Sequence, residues 1–173
     1  KNGLGIIDSM KRTAVYSGTF DPITLGHEDV LRRAAKIFDE VILAVSEAHQ
    51  KKTLFGLAAR IEIAQEATKN IANVKVVAFS GLIMDFCAQH NAIAVVRGIR
   101  NLSDFDYEQQ MAAMNRKLRP AVETIFITPA PELACISSTL VREIAKLGGD
   151  LSQMVSPGVA RALVDATRPR VQA

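Results

Sequence analysis

Apolar residues fall along this chain in short blocks whose spacing alternates between two kinds. Thr13 to Ser17 is a β-branched and aromatic run, and from Gly26 onward Val30, Leu31, Ala34, Ala35 and Phe38 recur as one helix face. Val41 to Val45 is continuously apolar, as a strand covered on both faces is, and a polar loop from Ser46 to Thr53 follows. Leu57 to Thr68 repeats Ile61, Ala64 and Ala67 at helical spacing. Val74 to Phe79 predicts a third strand, Ser80-Gly81 a turn, Leu82 to His90 a third helix and Ile93 to Val96 a fourth strand. Arg97 to Arg100 ends that strand. After a polar loop, Phe105 to Leu118 is rich in helix formers, with Met111 and Met114 on one side and Pro120 closing it. Thr124 to Thr128 predicts a fifth strand, and a Pro-containing loop leads to Ile136. Ser137-Ser138-Thr139 caps a helix through Lys146 that stops at Gly148-Gly149, and a last helix starts at Pro157 and ends near Ala166.

Strand and helix therefore alternate five times. That pattern predicts an α/β fold, a single Rossmann-like domain with a five-stranded parallel sheet, right-handed crossovers and helices on both faces. The expected domain spans residues 10–167, with 1–9 a remnant or disordered leader outside the fold and 168–173 a polar tail. In such sheets ligands sit beyond the carboxyl ends of the strands, near the point where strand order reverses. The strand exits agree, because each carries polar, glycine or basic residues: Gly18 to His27, Lys51-Lys52, Ser80-Gly81, Arg97 to Arg100, and Ser137 to Thr139.

At 173 residues, 49% of them hydrophobic and 23% charged, the chain is long and apolar enough to bury one sizeable core. No apolar run reaches the length of a membrane span and no secretory pattern opens the chain, so the expected location is the cytoplasm. A net charge of +3 and a pI near 9.0, without a dense Lys/Arg stripe, argue against a nucleic-acid partner and for a small anionic ligand. Cys87 and Cys135 lack the paired spacing of a zinc site and read as small apolar fillers.

The stretch from Val15 to His27 joins the first strand to the first helix through Gly18, Thr19, Asp21-Pro22 and Thr24, and it suits a phosphate. Gly18 permits a sharp turn, and at the helix start free N–H groups, the positive dipole end and His27 favour an anion. An ordinary strand–turn–helix link with a solvated histidine explains the stretch alone equally well. There is no G-x-x-x-x-G-K-[ST] and no G-x-G-x-x-G after the first strand, so neither a Walker loop nor a dinucleotide site is expected. Arg97 and Arg100 bracket Gly98 at a strand end, where guanidinium forks can hold phosphate oxygens. Lys51 and Lys52 alone read as a solvated loop. Asp104 and Glu108 either lie on an exposed helix face or pair with the arginines, and Glu108 is alternatively an acceptor for a ribose hydroxyl.

Gly18-Thr19-Phe20-Asp21-Pro22 with Thr24-x-Gly26-His27, then Arg97-Gly98-Ile99-Arg100, then Ile136-Ser137-Ser138-Thr139, resemble the nucleotidyltransferases of the T/H-x-G-H class. With Asp104-Phe105-Asp106-Tyr107-Glu108 between the last two blocks, the order resembles the bacterial branch that adenylylates 4′-phosphopantetheine. The resemblance implies transfer of AMP from ATP to that acceptor, giving dephospho-coenzyme A and pyrophosphate without a covalent intermediate. It implies a catalytic set of His27, as transition-state stabiliser, with Thr19, Lys51 and Arg97. ATP would be bound by Thr19, Phe20, His27, Gly98, Ile99, Arg100, Glu108 and the segment Leu133, Ala134, Cys135, Ile136, Ser137, Ser138 and Thr139. The acceptor would be bound by Thr19, Lys51, Ile83 and Arg97. It further implies Mg²⁺ carried by the ATP phosphates with no protein ligands, a homohexamer of two trimers, and coenzyme A as a candidate inhibitor. Ser17 stands where the family commonly has Pro, and Leu133 and Cys135 stand where aromatic residues are expected beside adenine. A transferase of the same fold with another acceptor, such as nicotinate mononucleotide or glycerol phosphate, and a catalytically silent nucleotide-binding module are the alternatives. The protonation state of His27 is open on sequence alone.

Overall fold

The run Val41 to Val45 is buried at every position because its strand lies inside a sheet with helices on both faces. The computed structural model describes residues 11–47 and 52–168. Its strands β1 (Thr13–Gly18), β2 (Glu40–Ser46), β3 (Val74–Phe79), β4 (Ala94–Gly98) and β5 (Glu123–Ile127) form one sheet in the order β3-β2-β1-β4-β5, every pairing parallel. The helices are α1 (Leu25–Ile37), α2 (Leu57–Thr68), α3 (Ile83–Gln89), α4 (Leu102–Leu118), α5 (Ser138–Lys146) and α6 (Pro157–Thr167).

Successive residues of β1 point to opposite faces and so enter different cores. Ala14 and Tyr16 pack with Val30, Leu31 and Ala34 of α1, Ala64 of α2, Val141 of α5 and Leu163 of α6. Val15 packs on the other face with Met84, Phe86 and Cys87 of α3. The chain builds outward from β1 to β3, then returns through α3 to lay β4 against the opposite edge of β1. The order of strands thus reverses between β1 and β4, and their carboxyl ends diverge there to leave a crevice.

Most strand ends and the ends of α3 shift by a residue from the sequence reading, and two larger differences have clear physical reasons. β4 continues through Arg97 and Gly98, because both still pair with Phe126 and Ile127 of β5. α4 begins at Leu102 and not Phe105, because the Asn101 side chain caps it by accepting the Asp104 N–H at 2.9 Å. A short 3-10 turn, Pro131–Leu133, stands where an irregular loop was expected. Lys51, residues 1–9 and residues 169–173 of the tail lie outside the described residues.

Candidate active site

The β1–α1 connection owes its shape to the start of α1. Thr24 caps the helix, and the third residue beyond it, His27, closes a reciprocal capping box: the His27 N–H donates to Thr24 Oγ1, and the Thr24 N–H donates to His27 Nδ1 at 3.0 Å. The T-x-G-H spacing is therefore the spacing of a helix cap, with imidazole in place of the usual Glu or Gln. With Nδ1 accepting from an obligate donor, the ring proton sits on Nε2. Burial, then the charges of Arg100 and Arg97, lower the His27 pKa to about 4. Burial and the two arginines both disfavour the imidazolium, and the cap leaves Nε2–H as the ring's free donor, oriented by its own helix start.

Gly18 has a different reason from the one expected. A Cβ there would lie 2.9 Å from the Phe20 ring, so the glycine makes room for an aromatic side chain. Phe20, at φ 46°, stands edge-on to Tyr16 and to His27, at centroid distances of 5.4 and 5.2 Å. The Asp21–Pro22 peptide is cis.

Two buried charged side chains, Asp21 inside the first motif but without an assigned role and Arg60 outside every motif, hold this loop against the segment before α2. The Asp21 carboxylate accepts the backbone N–H groups of Leu54 and Phe55 at 2.8 and 2.9 Å. Arg60 of α2, 2% exposed, donates from Nε to the Phe55 carbonyl at 3.1 Å and from Nη1 to the Thr19 and Ser46 carbonyls, each at 2.7 Å. The two side chains stitch the ends of β1 and β2 together.

Beyond the carboxyl ends of β1 and β4 lies a cavity of about 420 Å³. Thr19, Phe20, His27, Gly98, Arg100, Glu108, Ile136, Ser137, Ser138 and Thr139 line it, with Arg97 and Lys52. Leu133, Ala134 and Cys135 do not line it, and Ile99 is packed in the interior. Cys135 is exposed, contrary to its expected place as an apolar filler, whereas Cys87 is buried. The starts of α1 and α5 both open into the cavity and bring it two positive dipole ends, although in α1 the Leu25 N–H is taken by the Met154 carbonyl and the His27 N–H by Thr24. The Ser137 hydroxyl accepts from Leu140 N–H, and Ser138 Oγ donates to the Pro22 carbonyl at 2.8 Å. Arg142, one turn into α5, also lines the cavity while donating to the Asp21 carbonyl. Its cationic role was missed because it sits on a helix face outside the recognised block.

Each arginine of the β4 exit carries its own carboxylate. Arg100 pairs with Asp104 at 2.9 Å. Arg97 grips Glu108 through Nε and Nη2, at 2.7 and 2.5 Å, and donates from Nη1 to the Ser17 carbonyl and hydroxyl. Burial alone would lower the Arg97 pKa, but the hydrogen bonds and charge of Glu108 outweigh it and raise it. A second cavity of about 170 Å³ lies between β4, α3 and α4, lined by Ile83, Tyr107, Met111 and Thr124. Ser17, Arg97 and Glu108 are walls of both cavities, so Ile83 lies not in the larger cavity but across this shared wall.

A model of the cytidylyltransferase-like family matches residues 15–144. The chain is 58% identical over 151 residues to a phosphopantetheine adenylyltransferase of Acidovorax sp. (strain JS42), covering 87% of this chain and 92% of that one. It is 49% identical over 156 residues to a phosphopantetheine adenylyltransferase of Thiobacillus denitrificans, covering 90% and 98%. A solved structure described as a candidate nicotinate-nucleotide adenylyltransferase from Vibrio parahaemolyticus superposes with a TM-score of 0.68 over 92% of this chain and 98% of that one. At 18% identity this is a likeness of fold alone.

Proposed function

The chain belongs to the phosphopantetheine adenylyltransferases, within the cytidylyltransferase-like family, and from that premise we propose how its own residues form dephospho-coenzyme A from ATP and 4′-phosphopantetheine. The observation that carries the assignment of roles is the pair of cavities meeting at Arg97. The larger one, with two helix starts, His27, Arg100, Arg142 and Lys52, suits a triphosphate, and the smaller, apolar one suits a pantetheine arm.

The acceptor phosphate binds at the shared wall, on Arg97 and on Lys51, the latter assigned by family resemblance. One of its oxygens attacks the α-phosphorus in line. A P–O bond forms to that oxygen, the bond from the α-phosphorus to the bridging oxygen breaks, and its electron pair leaves with pyrophosphate. The dianionic acceptor needs no general base, and no residue becomes covalently attached. Thr19 and the Nε2–H of His27 face the α-phosphate, and the starts of α1 and α5 with Arg100 hold the departing phosphates. Among the described residues no group of three or more His, Cys, Asp and Glu side chains could hold a metal. The carboxylates lining the larger cavity are engaged by backbone amides or arginines. With those carboxylates engaged, Mg²⁺ would arrive with the nucleotide substrate, carried by its phosphates.

One domain over residues 10–167 carries the reaction, in the cytoplasm where its substrates are. Among the described residues no helix is long and apolar enough to cross a membrane. Coenzyme A, the product's phosphorylated form, is the candidate inhibitor. The deciding experiment is pyrophosphate release measured with ATP and each acceptor in turn. Robust release with 4′-phosphopantetheine is expected, and release with nicotinate mononucleotide alone overturns the assignment.

The same reading makes the protein a hexamer. α4 leaves Leu102, Met114 and Leu118 exposed at 81%, 55% and 53%, apolar surface that suits burial against another copy. Light scattering at micromolar concentration should give about six times the 18.8 kDa chain mass. A monomer throughout that range removes the assembly without touching the chemistry.

A further inference from the structure

Tyr16 stands on β1 under the larger cavity, which it lines, with only 5% of its surface exposed. Its ring is held edge-on by Phe20 and lies in the core shared with α1. A buried phenol normally directs its hydroxyl to a protein partner. Among the described residues this one has none, yet it is not sealed in: the buried side-chain oxygen that is cut off from both partner and solvent is Glu28 Oε1. The free donor of Tyr16 therefore opens toward the cavity.

Its surroundings define what it meets. A Cβ on Gly98 would lie 3.3 Å from the Tyr16 oxygen and 3.4 Å from a Val30 methyl, so hydroxyl, bare glycine backbone and valine make one shelf. Val30 is nearly one turn along α1 from His27, which sets the shelf behind the helix start where phosphates are held. Burial holds the phenol above its ordinary range despite Arg97 and Arg100, so it stays a neutral donor. With Arg97 and Arg100 close by and better suited to phosphate charge, the neutral phenol suits an uncharged oxygen of the same ligand.

We infer that the Tyr16 hydroxyl donates a hydrogen bond to the ribose of the bound nucleotide, which makes it a nucleotide-binding residue outside the recognised motifs. This rests on the larger cavity being the ATP site. The test is Tyr16→Phe, with ATP and inorganic tripolyphosphate titrated by calorimetry against both forms. ATP should bind about 5- to 10-fold more weakly, as for one lost neutral hydrogen bond, while tripolyphosphate changes by less than about twofold. The unfolding midpoint should hold, because the hydroxyl has no partner in the protein to lose. Unchanged ATP affinity overturns the inference, and so does a parallel loss for tripolyphosphate. If the unsubstituted protein binds ATP but releases no pyrophosphate with 4′-phosphopantetheine, the catalytic reading fails and the Tyr16 contact stands.

Discussion

Replacing His27 with alanine lowers kcat by about 10²- to 10³-fold, the range for one lost oxyanion donor, while the dissociation constant for ATP changes by less than about threefold. The capping box points Nδ1 back at Thr24 and leaves Nε2–H as the group that can act on a ligand. A donor whose hydrogen bond strengthens only as negative charge shifts onto the α-phosphate oxygens lowers the barrier without tightening the ground state. Arg100 and the α5 start remain to bind the phosphates. His27→Ala also removes the acceptor for the Thr24 N–H, so His27→Asn, whose side-chain oxygen can take over that acceptor role, separates cap from chemistry. Both variants should lose turnover alike. If ATP affinity collapses while kcat at saturation survives, His27 is a binding residue.

The same residue carries a pH signature. Its folded pKa, about 4, lies below the ordinary 6.5, so between those values the unfolded chain binds more protons than the folded one. The contribution of His27 to stability is complete above pH 6.5 and is lost as pH falls toward 4. An NMR titration of the free protein should show the ring midpoint near 4, and a midpoint near 6.5 would mean that burial and the two arginines do not disfavour the imidazolium.

The second large effect is on stability. Arg60→Met should cost about 2–4 kcal/mol, read from the urea midpoint at constant m-value. Methionine fills much of the same volume, so the loss comes from polar groups. The Thr19 and Phe55 carbonyls forfeit a donor at 2.7 and 3.1 Å, and the Asp21 carboxylate forfeits a neighbouring positive charge. Relief of the buried guanidinium's desolvation offsets part of this, which keeps the figure below a simple sum of the lost bonds. A change under about 0.5 kcal/mol, the size of an ordinary surface substitution, would mean that the stitch between the strand ends is not stabilising.

Periodicity located the elements best where a glycine turn bounds the apolar run, as Gly56 does before α2 and Gly81 after β3. β3 and α2 have the bounds read from sequence, Val74–Phe79 and Leu57–Thr68. It failed where a partner strand or a cap decides. Arg97 and Gly98 look like a loop, but β5 keeps them in the sheet, and Asn101 starts α4 three residues early. His27, Thr19, Arg97, Arg100 and Ser137 to Thr139 come together because the topology gathers the strand exits, which the alternation of strands and helices already implied. Asp21, Arg60 and Tyr16 could not be picked out that way. An arginine in an amphipathic helix reads as a surface charge until the fold brings the Thr19 carbonyl, 41 residues away, to its guanidinium. A strand tyrosine reads as core until its hydroxyl is found without a partner.

Ser17, Arg97 and Glu108 belong to both cavities, so on the proposed placement of ATP and the acceptor the two substrates should not bind independently. Arg97 already spends Nε, Nη1 and Nη2 on Glu108 and Ser17, so a phosphate approaching from one side competes with a carboxylate that also faces the other. A ligand that draws Glu108 toward itself in the larger cavity changes which donors are free in the smaller. That is a coupling free energy, and it is reciprocal: whatever factor ATP applies to the affinity for the acceptor, the acceptor applies to the affinity for ATP. The order in which the two arrive can alter the rates but not that factor, since one guanidinium and one carboxylate set it for both.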